Sequence, residues 1–344
     1  MYIFLFLIFI VLLIFGTDHF IKSKRYHGPV SDHFDGSHFL NIKDSTHQER
    51  RGSVLRWMLS REKNVWETRN VQQTKPKSIV LDDELTATFI NHATVLIQTE
   101  GVNIITDPIY SERASPFSFI GPKRYAEPGV AFDDLPKIDA VLISHNHYDH
   151  LDIPTLKRLV ARDNPRIVVP LGNKDFLKTH GITNVVEIDW WESNTLSDAT
   201  SLVSVPAQHF SARALSDRNG TLWSGYVIRT PHGNIYFAGD TGYGPFVDQI
   251  AERFPNGFRL GLLPIGAFKP ESLMGEVHIS PYEAFTMQER LDIADVLAIH
   301  FGTFKLADDK QDEPTSRVKE LVTGLPETKR FLVLPNGDSM QVRP

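Results

Sequence analysis

The segment Ser144-His145-Asn146-His147-Tyr148-Asp149-His150 places four side chains able to ligate a metal directly after the apolar run Ala140–Ile143. Imidazole nitrogen and carboxylate oxygen suit zinc, and also iron or manganese. At the C-terminal end of a strand and ahead of a helix, the turn lets alternate side chains face inward and converge on one point. One such cluster cannot fill two metal shells, so further ligands are expected at the ends of later strands. His209 follows Leu202–Val205, Asp240 follows Asn234–Ala238, and His300 ends Val296–Ile299. Each alone reads as an ordinary surface or core residue; their shared position at a strand end marks them out. The chain has no cysteine, so thiolate sites and disulfides are excluded and His and carboxylates must hold any metal.

The elements that must carry these residues are visible as β-branched runs. They fall at Ala87–Ile90, Thr94–Gln98, Val102–Thr106, Ala140–Ser144, Arg166–Pro170, Leu202–Val205, Tyr226–Arg229 and Asn234–Ala238. Later runs lie at Leu260–Pro264, Val296–His300 and Phe331–Leu334. Helical periodicity at Ile153–Ala161, Phe246–Phe254, Pro281–Arg290 and Ser316–Leu325 alternates with them. Hairpin-like strands followed by alternating strand and helix predict a layered α/β domain in which two sheets pack face to face. His92 and Asp107 end the first strands, where a hydrogen bond to a ligating imidazole would fix its tautomer.

The 344 residues are 41% hydrophobic and 23% charged, a composition that excludes disordered and collagen-like chains. A net charge of −6 offers no basic face for a nucleic-acid backbone, so no nucleic-acid partner is expected. Met1–Thr17 carries no charged side chain and as a helix would be about 25 Å long, at the short end of what spans a bilayer core. Lys22, Lys24 and Arg25 follow the apolar run instead of preceding it, which favours an uncleaved anchor over an export signal, and a cytoplasmic catalytic domain. The expected division is an anchor over residues 1–21, an arm over 22–80 containing one helical pattern at Val54–Leu59, and a catalytic domain over 81–344.

With its strand-end ligands, the chain resembles the metallo-β-lactamase superfamily and, within it, the N-acylphosphatidylethanolamine-hydrolysing phospholipase D family. The likeness runs from about Asp35 to the C-terminus. It includes Val54-Leu55-Arg56-Trp57, Asn91-His92-Ala93-Thr94, Thr106-Asp107-Pro108-Ile109, Gly121-Pro122-Lys123-Arg124, Asp189-Trp190-Trp191-Glu192, Gly239-Asp240-Thr241-Gly242-Tyr243, Pro264-Ile265-Gly266-Ala267 and Ile299-His300-Phe301-Gly302-Thr303-Phe304. The resemblance implies an αβ/βα four-layer sandwich, here preceded by a membrane-anchor helix. It further implies one zinc on His145, His147 and His209, a second on Asp149, His150 and His300, and Asp240 bridging them. Two dications acidify a shared water and neutralise phosphoryl charge, which suits hydrolysis without a Ser or Cys nucleophile. His278 matches a family histidine near the substrate and, with Asp149, is the expected catalytic pair; a surface histidine before the helix at Pro281 is the plainer alternative.

Phe117, Phe119, Ile120, Trp190, Trp191 and Tyr243 are expected in loops, either packing or lining an acyl-chain groove. Lys123 and Arg124 would meet anionic head groups or solvent. The function implied is phospholipase D-type cleavage of N-acylphosphatidylethanolamine to N-acylethanolamine and phosphatidic acid, with a phospholipid and a membrane as partners and a homodimer left open. Two other readings stand beside it: a lactonase-like hydrolase of a soluble substrate on the same metals, and a membrane-tethered protein whose metals serve structure alone. The anchor departs from the family's catalytic pattern and leaves the exact lipid open.

Overall fold

The computed structural model describes residues 16–18, 21–42, 57, 61, 64–81 and 83–343. The expected anchor at Met1–Thr17 and the helical pattern at Val54–Leu59 lie, apart from 16–17 and 57, outside the described residues. Among the described residues no helix is long and apolar enough to cross a membrane.

Among the described residues fourteen strands are formed. The first seven are β1 (Leu85–Asn91), β2 (Thr94–Thr99), β3 (Val102–Thr106), β4 (Ala140–Leu142), β5 (Arg166–Pro170), β6 (Val185–Ile188) and β7 (Ser193–Thr195). The others are β8 (Ser201–Val205), β9 (Gly225–Thr230), β10 (Gly233–Phe237), β11 (Phe258–Pro264), β12 (Ile293–Ile299), β13 (Arg330–Leu332) and β14 (Ser339–Gln341). They build two seven-stranded sheets, ordered β14-β1-β2-β3-β4-β5-β6 and β13-β12-β11-β10-β9-β8-β7.

Most central strands read as unbroken apolar runs because both of their faces are buried. The period of two sorts each run between layers. Val95, Ile97, Ile104 and Leu142 face Leu202, Tyr226, Ile228, Leu260 and Leu262 across the space between the sheets. Their neighbours Leu96, Ile105, Val141 and Ile143 point outward onto Leu156 and Leu159 of the helix Ile153–Asp163 and onto Phe176 and Leu177 of the helix Lys174–Thr179. On the far side, Tyr236, Leu263, Val296 and Ala298 meet Val247 and Ile250 of the helix Phe246–Arg253, Ala284 and Met287 of the helix Pro281–Arg290, and Val318. The order of layers is helix, sheet, sheet, helix, the predicted architecture.

β1, β3, β4 and β5 run in one direction, since β2 is antiparallel to β1 and β3 while β3, β4 and β5 are mutually parallel. β8, β10, β11 and β12 likewise share a direction. The carboxyl ends of these strands carry the loops in which the candidate ligands lie. Residues 22–42 do not hang free: Phe34 and Phe39 are buried against Trp190 and Trp223.

Candidate metal centre

Each candidate ligand follows the end of a strand. Asp107 follows β3, the segment His145–His150 follows β4, His209 follows β8, Asp240 follows β10 and His300 follows β12. The turns are tight. His92, Asp107 and His300 adopt φ of 49°, 34° and 60°, a left-handed conformation costing of order 1–3 kcal/mol each for residues other than glycine. At Gly239 (φ 62°) a Cβ would stand 2.5 Å from Ser144 Cβ, so only glycine lets the Asp240 turn approach the histidine loop.

Four overlapping groups of donors form among the described residues: one joins Asp107 to His145 and His150, and the other three are as follows. His145, His147 and His209 converge, with His145 Nε2 2.8 Å and His209 Nε2 3.3 Å from His147 Nδ1. Asp149, His150 and His300 gather on the other side together with His92. Asp240 lies between: its Oδ2 is 3.1 Å from His150 Nε2 and from His300 Nε2, and 3.9 Å from His145 Nε2 and His209 Nε2. His278 joins His209 and Asp240 as the third group, its Nδ1 3.9 Å from Asp240 Oδ2.

Hydrogen bonds fix which nitrogens face the centre. His209 Nδ1 donates to the Val277 carbonyl at 2.9 Å. Ser144 Oγ donates to Asp107 Oδ2 at 2.6 Å and accepts from His145 Nδ1 at 2.9 Å. His150 Nδ1 donates to the same Asp107 oxygen at 2.7 Å. In His145 and His209 the Nε2 lone pair is therefore turned inward, and in His150 Nε2 is likewise the nitrogen that faces the centre. His92 Nε2 donates to Asp149 Oδ2 at 2.9 Å.

Burial pushes His145 and His209 well below the usual imidazole range, and His147 and His278 to about 4, so these rings are neutral at pH 7. Burial also works against charge on Asp149 and Asp240, but the His150 imidazole and its neighbours outweigh it and hold both carboxyls well below their ordinary value. In return, against the pull of burial, Asp240 and Asp149 raise His150 and push His300 up to about 9.

The arrangement fits divalent cations. Asp240 Oδ1, His150 Nε2, His278 Nδ1 and both His300 nitrogens are buried without a hydrogen-bond partner, and inward lone pairs meet at the three-imidazole group. Buried polar atoms left unpartnered are costly, and cations taking the place of the histidine protons would satisfy the carboxylate oxygen and the imidazole nitrogens together.

Other predicted contacts sit elsewhere. Arg124, expected at an anionic head group, is only 5% exposed, and its guanidinium donates to the carbonyls of Ile109, Ser111 and Ala126. Its charge holds the loop together from inside. Lys123 is exposed and paired with Glu112 at 3.0 Å. Trp190 packs in the cluster with Phe34 and Trp223, and Trp191 lies under the Arg253 guanidinium. Phe119 and Ile120 are 77% and 58% exposed, while Tyr243 borders the groove beside His278. Ser144, the Val277 carbonyl and Asn41 support the ligands without having been singled out. Ser144 was legible as the neighbour of His145; nothing in the sequence links Asn41 to His209.

Residues 102–301 match the Beta-lactamase superfamily domain. N-acyl-phosphatidylethanolamine-hydrolyzing phospholipase D 1 of Caenorhabditis elegans is 38% identical over 268 residues, covering 74% of this chain and 75% of that one. The chain belongs to this phospholipase D family of the metallo-β-lactamase superfamily. The mitochondrial N-acyl-phosphatidylethanolamine-hydrolyzing phospholipase D of Saccharomyces cerevisiae is 37% identical over 64% of this chain, which spans 48% of that relative's length. Isothiocyanate hydrolase from Delia radicum gut bacteria shares the fold with a TM-score of 0.59, at 20% identity over 75% of this chain and 100% of its own. Membership of the family and the donor clusters make this protein a metal-dependent hydrolase.

Proposed function

We propose that this hydrolase cleaves the phosphodiester between phosphatidic acid and an N-acylethanolamine. The observation that carries the reading is the convergence of six ligand-type side chains around Asp240 in a chain 38% identical to a relative named for that reaction. His145, His147 and His209 would hold one zinc and Asp149, His150 and His300 the other, with Asp240 between; iron or manganese suits the same donors. Two such cations supply an acidified water and offset phosphoryl charge.

The chain's own residues do the rest. A groove of about 950 Å³, within the range of ligand pockets, is lined by Tyr243, Phe268, Glu276, His278, Tyr282 and Arg317. His278 stands between this groove and Asp240. Burial keeps it neutral, so its part is to donate a hydrogen bond to a phosphoryl or leaving oxygen, not to carry a standing charge. Ser144, Asp107 and Val277 hold the inward-facing rings still while the phosphate is in place.

Membrane attachment through Met1–Thr17, with the catalytic domain on the cytoplasmic side, belongs to the same proposal. Asp18 follows the apolar run, and its carboxylate accepts from the N–H groups of Leu215 and Ser216 at 2.7 and 3.1 Å. The segment's exit is thereby held beside Leu215, which is 83% exposed.

The test is N-acylphosphatidylethanolamine in mixed micelles with oxygen-18 water. The label is expected in phosphatidic acid and absent from the ethanolamide, and added methanol should give little phosphatidylmethanol, because no protein nucleophile intervenes. Efficient transfer to methanol would overturn direct attack by water. Failure to cleave this lipid in any detergent, with turnover of a soluble ester instead, would favour the lactonase-like reading.

A further inference from the structure

Alternate peptides of an extended segment point to opposite edges. After β8 the chain runs on through Pro206–His209, and Gln208 forms an isolated antiparallel bridge with Gly242. Gln208 uses one edge: its carbonyl accepts from Gly242 N–H at 2.8 Å, and its own N–H donates to Thr241 Oγ1 at 2.9 Å. The N–H and carbonyl of His209 face the opposite edge, and there one side chain of the N-terminal arm meets both. Asn41 Oδ1 accepts from His209 N–H at 3.0 Å, and Asn41 Nδ2 donates to the His209 carbonyl at 2.9 Å.

The orientation of that amide is settled by a third group. Trp223 Nε1, which can only donate, reaches Asn41 Oδ1 at 3.0 Å, so the oxygen and nitrogen of Asn41 cannot exchange places. The side chain imitates one residue of a neighbouring strand, laid along the edge that β8 leaves behind. The arm makes a second contact, at the loop that carries His145 and His147. Ser23 Oγ accepts from Asn146 Nδ2 at 3.2 Å, between His145 and His147, while its own hydroxyl and N–H donate to Asp217 at 2.9 and 2.7 Å.

We propose that Asn41 is a positioning residue for His209, and that the N-terminal arm thereby builds the three-imidazole end of the metal centre. The inference rests on the metal-ion reading of the cluster. The His209 ring is fixed by the Val277 carbonyl and its main chain by Asn41; losing the second leaves the tautomer intact and the nitrogen misplaced. The division between arm and catalytic domain then runs through the site's own scaffold, because residues before 43 set the position of a ligand after β8.

The experiment uses the full-length protein in detergent, loaded with cobalt(II), with release to a chelator followed by the visible d–d absorption. In Asn41→Ala one of the two ions is expected to leave at least about 10-fold faster, with an altered spectrum for that ion and an unchanged release rate for the other. Phe39→Leu disturbs the arm's packing without touching the Asn41 bonds; it should lower the melting temperature and leave both release rates as they were. Trp223→Phe removes the bond that orients the amide, together with the bond from the same indole N–H to the Ala207 carbonyl, and leaves both Asn41 bonds to His209 available. It should give a smaller acceleration of the same ion, and it serves if Asn41→Ala does not fold. Equal release from Asn41→Ala and the wild type, or the same acceleration from Phe39→Leu, would overturn the assignment. A wild-type protein that binds no cobalt would remove the metal reading itself.

Discussion

At one side of the centre His145, His147 and His209 meet with no carboxylate among them; at the other, Asp149 and Asp240 face His150 and His300 at 3.1–3.5 Å. The residue type is shared and the electrostatics differ. The first is an uncharged nitrogen pocket, and the second is a mixed pocket in which two carboxylates face two imidazoles whose protonation they favour. Asp240 leans toward the second, by 3.1 against 3.9 Å. A centre built this way is asymmetric before any ion arrives, so its two positions should differ in affinity and in the metal they prefer.

The hardest blow to that comparison is Asp240→Asn. If Asp240 serves both positions, the variant loses both ions and activity falls by more than about 100-fold, exceeding the usual effect of an outer-shell change. Loss of a single ion by elemental analysis would confine Asp240 to the carboxylate side. Next come His147→Ala and Asp149→Ala, each expected to retain one ion. Under competition between zinc and manganese, the ion kept by His147→Ala should be the richer in manganese, because carboxylate oxygen suits the harder cation. Identical metal ratios in the two variants would erase the asymmetry.

Ser144→Ala should act more gently. It removes the link from Asp107 to His145 and leaves the direct bond from Asp107 to His150, so a decrease of about 10-fold in affinity is expected at the nitrogen pocket alone. Equal weakening of both positions, measured by chelator titration, would show that Asp107 governs the centre as a whole.

The smallest effect concerns pH. His33, in the arm that reaches His209, lies between Asp189 at 2.8 Å and Asp32 at 2.6 Å. Burial alone would lower it, but the two carboxylates raise it above the usual imidazole value. A group whose folded value is raised adds stability that is full below the unfolded value near 6.5 and is lost as pH rises through the folded value. Melting temperature should therefore decline modestly from pH 6 upward into the alkaline range, and Asp189→Asn should flatten that decline. A slope unchanged in Asp189→Asn would place its origin elsewhere.

Strands buried on both faces were legible in the sequence because their apolar runs are dense: β1 to β5 and β8 to β12 were all expected. β6, β7 and β14 were not. Each lies at a sheet edge, and β7 is Ser-Asn-Thr and β14 Ser-Met-Gln, so neither announces itself by hydrophobic pattern. Edge strands are defined by a partner, and the partner is far away in sequence. The site divides in the same way. His145, His147, Asp149 and His150 share one loop and could be read as a motif, and His209, Asp240 and His300 could be read from their strand ends. Arg124 was misplaced because a basic residue in a loop reads as solvent-facing unless the carbonyls around it are known. Asn41 was invisible because its bonds to His209 span 168 residues.

One of those edges bears on how the chain is made. β1 pairs with β2 on one side and with β14 on the other, through Thr86–Gln341, Ala87–Met340 and Thr88–Ser339. During synthesis β1 emerges long before its outer partner, since Thr88 and Ser339 are 251 residues apart. At about 5–20 residues per second the nascent sheet carries an open edge for tens of seconds, a period in which it can pair with the wrong chain. β14 thus acts as a closing clasp, and a chain broken off before it would emerge with its ligand loops made and its first sheet still adhesive.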